Sequence, residues 1–294
     1  MKHLLLLAPV AALLGLASCQ NQPATKAAVA PVAAKVTAVA EDMPIAAPKP
    51  EAAPKPQLTP EMLAFFKEYN LAPLLELDIE RPEPQNGFYG KEHYRIEFVL
   101  LDVQQDAAQP NVYHVRGKNR YKNVIMPLEG DITFEQAVDQ PRDLVEENRA
   151  TLEGESNSKK SLNLYSAIGR FELREPANGR AAGVFSGSVA VDFRVEDDSQ
   201  LYFHSRSESA AQGASIKFEG TWREYNGTRQ QPVVWVYDLF NYGNKVLENF
   251  NLGEREVSVN PKYAKLGWDT YWENDEWWTE PGTVTAQAVA ADSL

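Results

Sequence analysis

One cysteine, four histidines and no apolar stretch long enough to span a bilayer permanently set the first limits on this 294-residue chain. A single thiol, Cys19, forms no intramolecular disulfide, and structural zinc clusters need several Cys and His at short spacing. His3, His93, His114 and His204 are scattered, the last three on separate expected strands, so neither a metal nor a cofactor is expected. No GxSxG elbow, HExxH helix, EF-hand loop or glycine-rich phosphate loop occurs either. Basic residues are in the minority, 29 against 41 acidic ones, for a formal charge of −12. Such a surface repels nucleic acid and anionic lipid at long range, which argues against nucleic acid as a partner.

What is present begins with Lys2 and the apolar run Leu4 to Leu14, which has the length of a signal-peptide core. The run leads into Leu16-Ala17-Ser18-Cys19, which resembles the lipobox of bacterial lipoproteins. The resemblance implies removal of residues 1–18, a diacylglycerol on the Cys19 sulfur, and a membrane partner held through N-terminal lipid. Several acyl chains anchor durably where one is marginal. Gln20, where an Asp would retain the protein at the inner membrane, implies by the same resemblance the outer membrane of the cell envelope, facing the periplasm or the surface.

Residues 20–57 are dominated by Ala, Pro, Val and Lys, with the near-repeat Ala47-Pro48-Lys49-Pro50 and Ala53-Pro54-Lys55-Pro56. Lacking aromatics and an amphipathic period, the segment buries too little apolar surface to offset chain entropy. It reads as a disordered tether over 19–57, with a reach of about 120 Å if fully extended as polyproline II. A β-rich globular domain is expected over 58–282 and a loose tail over 283–294.

Thr59-Pro60-Glu61 carries the signals of a helix start, and Met62, Phe65, Phe66 and Tyr69 share one side of a helix over about 60–70. From residue 91 the dominant period is two. Phe185, Val189, Val191, Phe193 and Val195 alternate with Ser186, Ser188, Asp192 and Arg194, as in a half-buried antiparallel strand. Tyr94, Ile96, Phe98 and Leu100 alternate likewise, as do Ile216, Phe218 and Trp222. The run 233–237 is apolar on both sides and predicts a strand covered on both faces. Turn signals at Asn178-Gly179, Asp197-Asp198-Ser199 and Asn226-Gly227-Thr228 separate these runs. The fold class is therefore mainly β, an antiparallel sandwich or barrel with a short N-terminal helix and minor helical decoration. A helix starting at Pro141 and a subdomain boundary near 140–160 are further expectations. Glu219-Gly220-Thr221-Trp222 resembles the Gly-x-Trp of lipocalins, but theirs lies near the start of the barrel and this one late in the chain, so no membership follows.

Two features are candidates for function. Between Lys262 and Trp278, Tyr263, Trp268, Tyr271, Trp272, Trp277 and Trp278 interleave with Asp269, Glu273, Asp275 and Glu276. Exposed indoles beside carboxylates suit sugars, whose C–H faces stack on rings while hydroxyls donate to carboxylates. The alternative is closure of one end of the β core. The second feature is the row Arg116, Lys118, Arg120 and Lys122, which point one way along a strand. Such a row suits an anionic envelope polymer, or else an edge strand whose charges deter pairing. The leading expectation is a non-catalytic lipoprotein that binds a glycan or other envelope component. One alternative is a glycan hydrolase using a carboxylate pair among Asp192, Glu219, Glu224, Asp269 and Glu273. Another is an assembly role with an envelope protein as partner.

Overall fold

The computed structural model describes residues 58–77, 82–140, 163–179, 181–196, 198–250, 259–273 and 275–279. Cys19 and the expected signal peptide, tether, helix at Pro141 and tail 283–294 lie outside them.

Among the described residues nine strands form one antiparallel sheet: β1 (Gln85–Tyr89), β2 (Tyr94–Gln105), β3 (Val112–Tyr121), β4 (Val124–Asp139), β5 (Leu164–Arg174), β6 (Gly183–Val195), β7 (Leu201–Phe203), β8 (Ile216–Glu224) and β9 (Gln230–Val236). β1 pairs with both β2 and β9, and β5 pairs with β6, so the sheet closes on itself. The result is an eight-stranded closed barrel with β7 added at the end of β6, which decides between the expected sandwich and barrel. The strands on either side of 140–160 lie against one another, with Glu129 opposite Arg174 and Asp139 opposite Tyr165, so both halves belong to one barrel.

Alternation explains the interior. Ile96, Phe98 and Leu100 of β2, and Phe185, Val189, Val191 and Phe193 of β6, all point inward and are buried. The barrel is filled with rings. Trp235 stacks on Phe98 at 4.0 Å and on Phe218 at 4.6 Å, while Phe171 meets it edge-on at 5.0 Å. Glycine makes the room, as small residues do in tightly curved barrels. A Cβ on Gly87, which faces Trp235 in register, would meet the Trp235 Cβ at 2.4 Å. Gly187 and Gly220 face each other across β6 and β8, and a Cβ on either would meet the other strand's carbonyl oxygen at 2.1 Å.

One end of the barrel is stoppered by α1 (Pro60–Glu68) and α2 (Ala72–Glu76). Thr59 caps α1 by accepting from the Met62 N–H, as its sequence predicts. Phe66 stacks on Phe134 at 5.7 Å, and Phe65 meets Tyr165 edge-on at 5.1 Å. The stopper is also bonded in place. Leu71 N–H donates to the Tyr113 hydroxyl at 3.1 Å, and Gln105 Nε2 donates to the Phe66 carbonyl at 2.7 Å.

The outer face of β1 and β9 is covered as well, which is why Phe88, Val234 and Val236 are apolar where a solvated wall would be polar. The cover is α3 (Leu239–Val246), started by an Asp238 cap, and α4 (Pro261–Tyr263), which runs into a π-type turn, Ala264–Trp268. Gly267 sits there at φ 87°, a left-handed conformation that favours glycine. The run 233–237 is thus apolar on both sides because β9 is covered on both sides.

Candidate functional site

The site is the outer wall of β2 and β3 together with the segment that follows the π-type turn. β2 alternates Ile96 and Phe98 inward with Arg95, Glu97 and Val99 outward, and β3 presents His114, Arg116, Lys118 and Arg120 outward between buried Tyr113, Val115, Gly117 and Asn119. The expected basic row therefore exists from Arg116 to Arg120, whereas Lys122 lies beyond β3 in the turn to β4, at φ 49°. The row does not lie on an edge: β3 is bonded to β2 and β4 throughout its length, so the closed barrel overturns the edge-strand alternative.

The aromatic–acidic segment lies on this same wall. Asp275 pairs with Arg120, the Arg120 guanidinium sits 5.1 Å from the Trp277 ring, and Lys118 Nζ donates to the Trp278 carbonyl at 2.8 Å. Trp277 and Trp278 pack on Val99. Beneath them is an ion network. Glu97 accepts from Arg120 Nε at 2.6 Å and from Arg95 Nη2 at 2.8 Å, while Arg95 also donates to Asn86 Oδ1 at 2.8 Å and to Thr270 Oγ1 at 3.2 Å. The Arg95 and Glu97 side chains are 4% and 7% exposed, so the network is sealed from solvent. Each remaining basic residue has its own contact. Arg116 bonds Asp102 at 2.8 Å, and Lys122 lies over the rings of Tyr94 and Tyr121.

The rings of the segment divide into two groups. Trp268 is fully buried against Phe88 and Phe250, with its N–H on the His93 carbonyl, and Trp277 and Trp278 are buried on β2. These three indoles are packing groups, which corrects the expectation that they all face a ligand: the outer wall needed a cover, and they supply it. Trp272 is different. It is 40% exposed beside Phe240, itself 47% exposed, with ring centres 5.6 Å apart. Tyr271 meets Trp272 edge-on at 5.0 Å, its hydroxyl pushed up to about 12 by burial; its ring also faces Phe240 and Trp268, and the Arg95 guanidinium lies 5.4 Å from its centre. Asp269 and Glu273 are exposed on the same segment, and Asn241 is exposed one residue beyond Phe240. Phe240, Arg95 and Glu97 did not stand out in the sequence, since alternating Arg95 and Glu97 read as a solvated strand face. The Asp238 cap was the one available signal for the helix that carries Phe240.

Two of the carboxylates considered for catalysis, Asp192 and Glu224, are engaged by neighbours of their own. Asp192 is buried and accepts from Ser166 and Ser205 hydroxyls, each at 2.6 Å, from Ser209, and from the Ala211 N–H at 3.1 Å, so it pins the loop beside β6. Glu224 is held down to about 2 chiefly by hydrogen bonds from Arg229, the opposite of what a general acid needs. Among the described residues no group of three or more His, Cys, Asp or Glu side chains is placed to hold a metal ion, and no helix is long and apolar enough to cross a membrane. Of the three histidines expected on strands only His114 lies on one. His93 is in the β1–β2 turn at φ 58°, and His204 follows β7.

His114 lies beside a polar groove of about 450 Å³ that also involves Asp102, Arg116, Glu129 and Asp131. Its two ring nitrogens meet Asp131 at 2.8 Å and Asp106 at 3.1 Å. Hydrogen bonds to Asp131 and then Asp106 raise its pKa above the ordinary 6.5. A raised histidine pKa stabilises the fold fully below about 6.5, and the benefit is lost as pH rises through the folded value. Asp106 is lowered, chiefly by its hydrogen bond from His114, so its share is lost as pH falls below its ordinary 3.8. The clip is therefore tightest between these limits. NMR titration should give a His114 pKa above 6.5 that moves back toward 6.5 in Asp131→Asn; an unshifted histidine in the unsubstituted protein would refute the clip.

Comparison with known protein families, characterised proteins and solved structures finds no match to this chain.

Proposed function

We propose that this chain is a lipid-anchored envelope protein whose barrel is a non-catalytic carbohydrate-binding module. The observation that carries the reading is the exposed pair Trp272 and Phe240, two large rings 5.6 Å apart at the surface, flanked by exposed Asp269, Glu273 and Asn241. Adjacent exposed rings form a contiguous apolar face, and a sugar offers C–H groups to such rings and hydroxyls to the carboxylates. Packing supports the reading too, because Trp272 is backed by Tyr271, and Tyr271 by Arg95. The lipobox-like Leu16-Ala17-Ser18-Cys19, the Ala/Pro-rich run and Gln20 support the reading, since a lipid anchor in the outer membrane would bring such a module within reach of envelope glycans.

The test is calorimetric titration of the full chain with neutral oligosaccharides, cellohexaose and chitohexaose. Trp272→Ala should weaken binding about tenfold or more, a loss typical of one dominant aromatic contact, with thermal stability nearly unchanged because the ring is exposed. Equal affinity in Trp272→Ala, or no binding of either sugar by the unsubstituted protein, would sink the proposal.

A further inference from the structure

The arginine network and the aromatic platform form one continuous strip. Trp272 touches Tyr271, Tyr271 lies on Arg95, and Arg95 and Arg120 share Glu97. At the end of the strip Arg120 takes its second carboxylate from Asp275, which is about half exposed, whereas Glu97 is buried. Without Asp275 the cluster of Arg95, Arg120 and Glu97 holds two guanidiniums and one carboxylate. The cover that brings Asp275 is imperfectly fitted. Trp277 is buried with its indole N–H bonded to no protein group, a condition that costs a native core free energy and is uncommon there. Asp275 is the exposed edge of that cover, while the Lys118 bond to the Trp278 carbonyl and the packing of both indoles on Val99 hold the rest of it.

We infer that Asp275 occupies in cis the place of a ligand carboxylate, so that the strip from Trp272 to Arg120 is a site for an acidic glycan. Its sugar rings lie on Trp272 and Phe240, and a uronate carboxylate displaces Asp275 from Arg120. This deepens the carbohydrate reading and rests on it. The formal charge of −12 opposes a polyanion at a distance, but that field is screened beyond about 8–10 Å at physiological salt, so the guanidinium contact decides. A planar guanidinium is also the best side chain for binding a carboxylate with two hydrogen bonds.

Hexagalacturonate and cellohexaose, titrated against the full chain, separate the two ideas. Asp275→Asn removes the competing charge and should raise affinity for hexagalacturonate about tenfold, leaving cellohexaose unchanged, and Arg120→Met in the same background should abolish the gain. Unchanged hexagalacturonate affinity in a natively folded Asp275→Asn overturns the inference, while loss of cellohexaose binding in Trp272→Ala still tests the platform by itself. A gain for the capped peptide Asp-Glu-Trp-Trp and none for hexagalacturonate also overturns it, in favour of a protein ligand. In the unsubstituted protein, hexagalacturonate should shift the Trp277 indole N–H resonance and cellohexaose should not. This measurement requires no variant to fold, and a still Trp277 signal at saturating hexagalacturonate counts against the inference.

Discussion

Replacing Trp235 with Ala should lower the unfolding free energy by about 3–5 kcal/mol, the range for deleting a buried aromatic side chain. The expectation follows from its position at the centre of the barrel. Its indole is fully buried, with Phe98 on one stack and Phe218 on the other, Phe171 edge-on at 5.0 Å and Phe185 edge-on at 6.2 Å. Closed strands cannot collapse far into the vacated space, because Gly87, Gly187 and Gly220 already bring neighbouring backbones as close as they come. Cavity cost should therefore lie toward the upper part of the range. Trp235→Phe is the informative companion. The Trp235 N–H has no hydrogen-bond partner in the protein, so replacing indole by phenyl removes area but no polar contact. It should cost clearly less than Trp235→Ala, about 1–2 kcal/mol by the area and cavity lost. Urea unfolding monitored by circular dichroism distinguishes the two through a falling midpoint at constant slope. A loss below about 1 kcal/mol for Trp235→Ala would mean that the barrel repacks around the gap, and that the ring stack is not what holds its interior.

How much of this was legible in the sequence depends on the range over which the determinants act. The alternation at 185–195 and 216–222 is local, and both runs are strands with the expected faces inward. Helix α1 was legible for the same reason, since Thr59, Pro60 and Glu61 act within one turn. Closure was not, because it depends on β1 meeting β9, whose residues Gly87 and Trp235 are distant in the chain and match only in size. The five residues of β1, Gln85–Tyr89, include a glycine and an asparagine and carry little strand signal by themselves. The site divides in the same way. Strand geometry places Arg116, Lys118 and Arg120 in a row, and composition draws attention to the Trp-rich segment. Nothing local says that the second covers the first, since Asp275 and Arg120 are 155 residues apart. Their complementary charges were visible, but with 41 acidic and 29 basic residues in the chain, complementarity alone selects no pair. Burial is the discriminating fact. Only the folded wall separates the enclosed rings of Trp268, Trp277 and Trp278 from the exposed ring of Trp272.

The second large effect belongs to that wall. Glu97→Ala should destabilise the protein by about 3–5 kcal/mol, as removal of one partner from a buried ion cluster does. Glu97 is the anion between Arg95 and Arg120 and accepts from both guanidiniums, so its loss leaves two desolvated cations facing each other with Asp275 on one of them. Burial already lowers the pKa of Arg95 despite the Glu97 carboxylate, a sign of how much its charge depends on that partner. The cost arises from stranding the arginines more than from losing an attraction, and a double substitution shows this. Arg95→Met with Glu97→Ala removes one stranded cation along with the anion and leaves Arg120 with Asp275. It should therefore be more stable than Glu97→Ala alone, giving a coupling energy of about 1–3 kcal/mol in a double-mutant cycle. Additive losses, with the double variant the weakest, would show that Arg95 is held by Asn86, Thr270 and Tyr271 independently of its carboxylate. In that case the network beneath Trp277 would be a set of separate contacts, and removing Glu97 would not loosen the segment that carries Asp275.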